Sequence, residues 1–254
     1  MNTLEHNEPP RTRDLRPIAH RTQVTLRKPG GAAMRWWWDI HTHGEHHVPS
    51  RGRALLACNH VGWLDGPLMV GLAPRPVHAL VKHEMFAGQL GLLLHAVGQI
   101  PVERATIDVR AIRRAIRALR DDRVVTIYPE GTRGDGELRK MKRGLAYLAL
   151  VTGAPVVPVA LLGTRVRGES VSRIPPRGRR IDIVYGEPIA VNATSWPRTR
   201  ESVEQLTRSL QRELVANLEH ALDISGQQLP GPAADEEAKE ADMVGLADDP
   251  QEDS

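Results

Sequence analysis

Between residues 54 and 186 the chain alternates short apolar runs with stretches of helical length, and this alternation leaves room for one class of fold. Residues 54–58, 77–82, 97–103, 123–127, 156–161 and 180–186 are apolar runs too short for helices and long enough for buried strands. Residues 64–72, 85–95, 107–120, 142–152 and 199–222 have the length and spacing of helices. Helices inserted between strands must pack on the faces of the sheet those strands form. The expectation is a single α/β domain, a mixed β-sheet flanked by helices. At 254 residues and 41% hydrophobic the chain can fill one such core, and at 4% aromatic that core is aliphatic. Residues 145–163 carry no charge, yet Thr152-Gly153-Ala154-Pro155 breaks the run into a helix and a strand rather than a membrane span. In the stretch 107–120, Ile107, Ala111, Ile112, Ala115, Ile116 and Leu119 share a face. Arg110, Arg113, Arg114, Arg117 and Arg120 cover the rest, a face expected to be solvated or to meet a lipid surface. The stripe Val203, Leu206, Leu210, Leu214, Leu218 and Leu222 predicts a core-packed last helix ended by Ser225-Gly226.

Two of the strands lead into chemistry-bearing turns. Asn59-His60 follows the run 54–58, at a strand's carboxyl end, where α/β sheets place their ligand sites. Gly62 permits a sharp turn, and Asp65 then falls in the first turn of the next helix. Such a turn can bring the two side chains into hydrogen-bond reach. A neutral imidazole held by a carboxylate is a competent general base for an alcohol. The alternative is structural: His60 caps the helix and Asp65 is an acid placed by the helix dipole. Cys58, the only cysteine, precludes an internal disulfide. Its place two residues before His60 raises a Cys–His nucleophile, against the simpler reading of a buried thiol. The second turn, Tyr128-Pro129-Glu130-Gly131-Thr132-Arg133, follows the run 123–127 and offers an arginine to a phosphate.

Four blocks in order resemble the glycerolipid acyltransferase family, whose best-known members are 1-acylglycerol-3-phosphate acyltransferases. They are Asn59-His60-x4-Asp65, Gly98-Gln99-Ile100-Pro101-Val102-Glu103-Arg104, Tyr128 to Arg133 with Lys142-Arg143-Gly144 beyond it, and Pro155-Val156-Val157-Pro158-Val159. Tyr185-Gly186-Glu187-Pro188-Ile189 is a weaker echo, and Met141 departs from an aromatic often found before the basic pair. The resemblance implies that His60 takes the proton of an acceptor hydroxyl as it attacks an acyl thioester, with Asp65 orienting the imidazole. It implies that Arg104 and Arg133 bind phosphate, and that backbone N–H groups near Gly131 receive the oxyanion. Glu130 would orient an arginine or contact a glycerol hydroxyl, or else form a structural ion pair. Asn59 and Thr132 join the substrate-binding set, and Pro158 shapes the acyl pocket. No metal or other cofactor is implied; acyl-CoA or an acyl carrier protein thioester is the co-substrate. The implied acceptor is a lysophospholipid, foremost 1-acylglycerol-3-phosphate, giving phosphatidic acid. A glycolipid, an aminolipid or another lysophospholipid is the alternative acceptor.

Charge is unevenly spread. Of the formal +3, residues 231–254 contribute −8, which leaves +11 on residues 1–230. A basic body invites an anionic partner, and an anionic phospholipid surface fits best. Nucleic acid is not expected, since the chain lacks a nucleic-acid motif and aromatics for base stacking. The polar amino terminus reads as lacking a signal peptide, which points to a peripheral enzyme on the cytoplasmic face of the membrane. Trp36-Trp37-Trp38 beside Arg35 is the expected membrane foot. Residues 1–25 are expected to be flexible, 26–225 to form the acyltransferase domain, and 226–254 to be an acidic disordered tail. Six arginines between Arg165 and Arg180 suggest a basic loop able to meet donor phosphates. The cluster His41-Thr42-His43-Gly44-Glu45-His46-His47 raises a metal-dependent hydrolase, against the plainer reading of a surface strand and turn.

Overall fold

A computed structural model describes residues 10–15, 17–103, 108–195 and 198–233. Its strands are β1 (Asp39–His43), β2 (Ala54–Cys58), β3 (Val77–Lys82), β4 (Ile100–Val102), β5 (Val124–Ile127), β6 (Val156–Leu162) and β7 (Arg180–Tyr185). Its helices are α1 (Arg21–Trp37), α2 (Asp65–Leu72), α3 (Gly88–Ala96), α4 (Val109–Arg120), α5 (Gly144–Thr152) and α6 (Arg200–Ser225). The seven strands form one sheet in the order β1-β7-β6-β2-β5-β3-β4, and every neighbouring pair is parallel except β6–β7. The expected mixed sheet flanked by helices is what forms. β2, β5 and β6 are buried along their whole length, because helices cover both faces. One core layer packs α4, α5 and α6 on the sheet; the other holds α2 with Trp38 and Met34 from α1 and its end.

The apolar runs and the periodic helices become the elements expected of them, with shifted ends. The run 97–103 yields only a three-residue strand, because Gly98 turns at φ 72° and the Gln99 side chain bonds the backbone of Val77, Ala79 and Val97. The uncharged run 145–163 divides at Gly153, which takes a left-handed conformation as the cap of α5. Among the described residues no helix is long and apolar enough to cross a membrane.

The largest departure is at the amino terminus. Residues 21–25, expected to be loose, begin α1, a 17-residue helix. Residues 10–14 lie along the arginine face of α4. Arg113 pairs with Asp14 and donates to the Arg11 carbonyl, Arg117 donates to the Thr12 carbonyl, and Arg120 donates to Pro10 and Thr12. That part of the face therefore holds a protein strap, while Arg110 and Arg114 stay exposed as expected of a solvated face. Only the amphipathic side of α4 is visible in its periodicity; what covers the other side depends on a segment a hundred residues away. At the other end, residues 227–233 continue past α6 and pack, with Pro230 and Ala233 buried. The acidic residues from Asp235 onward lie outside the described residues, as do residues 1–9.

α1 crosses α2 through glycines. A β-carbon on Gly31 would sit 2.9 Å from the Gly71 carbonyl oxygen, closer than van der Waals contact allows. The crossing brings α1 over β3 and α2 and gives the site one of its walls.

Candidate active site

The carboxyl ends of β2 and β5 are adjacent, and each strand hands over to a turn. His60 and Asp65 meet as expected: Nδ1–H of the imidazole donates to Asp65 Oδ2 at 2.7 Å. The same oxygen accepts the backbone N–H of Val61 at 2.8 Å and of Gly62 at 2.9 Å. Asp65 is wholly buried, and His60 keeps 6% of its surface exposed. Three donors on one oxygen offset the cost of burying a carboxylate and fix its position. The carboxylate can only accept, so Nδ1 carries a proton, and in the neutral imidazole the lone pair is left on Nε2. The second turn clamps the first. Glu130 Oε1 accepts the His60 N–H at 2.8 Å, and Gly134 N–H donates to the His60 carbonyl at 2.9 Å. Tyr128 stacks on the His60 ring, with centroids 4.1 Å apart. Its phenol is pushed well above the ordinary range by burial, so it stays neutral.

These contacts change several expected roles. Asn59 does not face a substrate: it is fully buried, and its carboxamide exchanges two bonds with the backbone of Leu161, at 2.7 and 3.1 Å. It ties β2 to β6. Glu130 has a role the sequence does not suggest: its carboxylate holds the His60 backbone. The Gly131 N–H closes its own turn onto the Tyr128 carbonyl at 3.0 Å and is not an open oxyanion donor. Gly131 sits at φ 79°, and a side chain there would strike Lys142. Thr132 is exposed at the turn. Pro158 is buried in β6 opposite Ala57 and is not part of the wall of the cavity beside His60. Arg104 lies outside the described residues. Tyr128 is the neighbour of His60 that residue-type reasoning passes over, and its only signal is an aromatic ending an apolar strand.

A cavity of about 450 Å³ opens beside the pair. That is within the range of small-molecule sites, roughly 300–1,000 Å³. Its wall includes His60, Trp63, Tyr128 and Arg133. The rest is mainly aliphatic: Leu26 and Met34 of α1, Pro67 and Val70 of α2, Leu80 of β3, and Leu90, Leu93 and Leu94 of α3. Arg133 thus shares a cavity with the imidazole, as a phosphate ligand would need to. An imidazole held by a carboxylate and an arginine beside an aliphatic chamber suit a substrate that is part anion and part hydrocarbon.

The two rival centres are engaged otherwise. His41 bonds Asp39, His43 bonds Asp182 at 3.1 Å, and His47 bonds the Tyr185 carbonyl. His41 to His43 belong to β1, and Glu45 to His47 form a single 3₁₀ turn. Among the described residues, no three His, Cys, Asp or Glu side chains group to hold a metal ion. The Cys58 thiol is fully buried, and burial and then the nearby Asp65 charge push it well above the ordinary range. It stays protonated and unreactive. Of the Trp triplet, Trp36 and Trp37 are exposed at 67% and 43%, with the Arg177 guanidinium over both rings. Trp38 instead packs in the core and donates to the Pro175 carbonyl. Within the expected basic loop, Arg165 is buried rather than exposed.

A family model described as Acyltransferase matches residues 39–162. The chain is 27% identical over 186 residues to the 1-acyl-sn-glycerol-3-phosphate acyltransferase of Bacillus subtilis, covering 72% of this chain and 90% of that one. It is 35% identical over 139 residues to the lyso-ornithine lipid O-acyltransferase of Pseudomonas aeruginosa, covering 50% and 52%. The crystal structure of the 1-acyl-sn-glycerophosphate (LPA) acyltransferase PlsC from Thermotoga maritima superposes with a TM-score of 0.57 at 26% identity, covering 76% of this chain and 80% of that one.

Proposed function

Because the chain belongs to the acyltransferase family, we propose that it moves a fatty acyl group from a thioester onto the free hydroxyl of a lysophospholipid. The acceptor is 1-acylglycerol-3-phosphate and the product phosphatidic acid. The observation that carries this reading is the His60–Asp65 pair set in the wall of an aliphatic cavity that also presents Arg133. His60 Nε2 takes the hydroxyl proton as the oxygen attacks the thioester carbon. The tetrahedral intermediate then expels the thiolate, and the proton on His60 passes to it. Asp65 holds the imidazole in one tautomer and stabilises the imidazolium. A thioester is already activated, so no covalent acyl-enzyme and no metal is needed. Arg133 pairs with the acceptor phosphate. Acyl-CoA or acyl carrier protein supplies the thioester.

The enzyme works as a peripheral protein on an anionic bilayer at the cytoplasmic face. Exposed Trp36, Trp37, Leu92 and Leu93 support this, as does the basic balance of residues 1–230. Leu26, Leu90 and Leu93 are each 41–49% exposed and also line the cavity, so its rim is apolar enough to meet lipid. The similarity to a lyso-ornithine lipid O-acyltransferase favours an aminolipid as the second acceptor to test.

The test is thiol release from acyl-CoA, and then from acyl carrier protein, over a panel of both acceptors, wild type beside His60→Ala. Release that depends on 1-acylglycerol-3-phosphate and falls by at least about a hundredfold in the variant is expected. Release with the aminolipid alone would replace the acceptor, and undiminished release in the variant would remove the general base.

A further inference from the structure

We infer that Arg165 is a positioning residue for the His60–Asp65 pair, acting through the Val61–Gly62 peptide, with the segment after α6 as its counter-anchor. Arg165 follows β6, the strand beside β2, and only 2% of its surface is exposed. A buried guanidinium must be fully hydrogen-bonded to be tolerated. Its Nε donates to the Val61 carbonyl at 2.9 Å. Nη1 donates to the carbonyls of Glu169 and Pro232, and Nη2 to those of Gly134 and Gly231. One side chain therefore ties the catalytic turn, the end of the Arg133 turn, its own loop and the chain beyond α6.

The peptide geometry makes this more than a loop staple. The Val61 carbonyl and the Gly62 N–H belong to one peptide group. Arg165 grips its oxygen while its N–H donates to Asp65 Oδ2. The preceding peptide works the same way: Gly134 N–H grips the His60 carbonyl, and the Val61 N–H donates to the same carboxylate oxygen. Both peptide donors to Asp65 are thus held from behind, and a donor bound to a peptide oxygen polarises the N–H opposite. Gly62 permits the approach, since a β-carbon there would lie 2.7 Å from the Thr164 carbonyl oxygen. Arg75 is a natural control. It too donates to three carbonyls, those of Pro49, Gly52 and Asp122, but these precede β2 and β5 at the opposite end of the sheet.

The inference rests on the base-and-orienter reading of His60 and Asp65, so its test has one readout that needs no substrate. Full-length wild type, Arg165→Lys and Arg75→Lys are compared in detergent. Arg165→Gln stands in if the lysine variant does not fold. The first readout is the downfield proton resonance of His60 Nδ1–H, identified by its loss in His60→Ala. The second is the steady-state rate with acyl-CoA and 1-acylglycerol-3-phosphate. Expected for Arg165→Lys is a displaced resonance and a kcat lowered about tenfold or more, with acceptor KM within about twofold. Expected for Arg75→Lys is an unmoved resonance and an unchanged kcat. An unmoved resonance in Arg165→Lys, or equal effects in the two variants, overturns the inference. A displaced resonance in a protein that transfers no acyl group supports it while removing the functional reading.

Discussion

The two ends of the sheet are built from the same strands and differ in how their turns are held. At the amino ends of β2 and β5, turns are tied by Arg75, a half-buried side chain on three carbonyls. At the carboxyl ends, the turns are interleaved. Each backbone group of His60 is bonded to the neighbouring turn, its ring is stacked on Tyr128, and its partner Asp65 is buried under three donors. One end needs only to close; the other must hold two side chains in a fixed relation. The difference teaches where rigidity is concentrated: in hydrogen bonds to main chain, which fix a turn more closely than apolar packing of its side chains would.

The contrast is sharpest if the carboxyl end can lose function without losing the fold. Asp65→Asn keeps the shape of the side chain and removes its charge. It is expected to lower kcat by roughly 10²–10⁴, with circular dichroism unchanged. A loss under tenfold would show that the carboxylate does not support the imidazolium. The amino end should respond in the opposite sense, in stability rather than rate. His78, early in β3, is buried with Nδ1 on the Gly98 carbonyl, and burial lowers its pKa from 6.5 to about 4. The unfolded chain therefore takes up a proton that the folded one refuses. Stability from this group is complete above pH 6.5 and is lost as pH falls toward 4. Between pH 7 and pH 5 the loss is about 2 kcal/mol. Denaturant unfolding at the two pH values should show a difference that shrinks in His78→Gln; an unchanged difference would reassign it. The smallest effect expected is at the exposed edge. Replacing Trp36 and Trp37 with Ala should lower co-sedimentation with anionic vesicles by roughly threefold or more, whereas Trp38→Ala should lower thermal stability first. Equal vesicle binding by all three proteins would refute the membrane foot.

Much of this is legible in sequence because it is local. Strand runs, the 3.6-residue stripe of α6 and the glycine that ends it are read within a dozen residues. So is the His60–Asp65 pair, since one turn separates its members. What stays hidden is long-range. Asn59 cannot be known to bond Leu161, nor Glu130 the His60 backbone, because each bond depends on which strands lie side by side. The arginines of α4 give no sign that residues 10–14 bind Arg113, Arg117 and Arg120 and leave Arg110 and Arg114 exposed. α1 escapes a reading by periodicity because Pro29 and a glycine pair interrupt its sequence; the proline is tolerated in the helix, and Gly31 is required where it crosses α2. In sequence Arg165 is one arginine among six, and only its burial separates it from Arg177 on the tryptophans.

The ligands of Arg165 run from Val61 to Pro232. Consequently no amino-terminal fragment that stops short of residue 232 contains the full set. While the chain is being made, the strands of the sheet can assemble long before the last two acceptors emerge. A nonsense or frameshift product ending within α6 would keep the HX4D motif intact and still lack part of the frame that holds it.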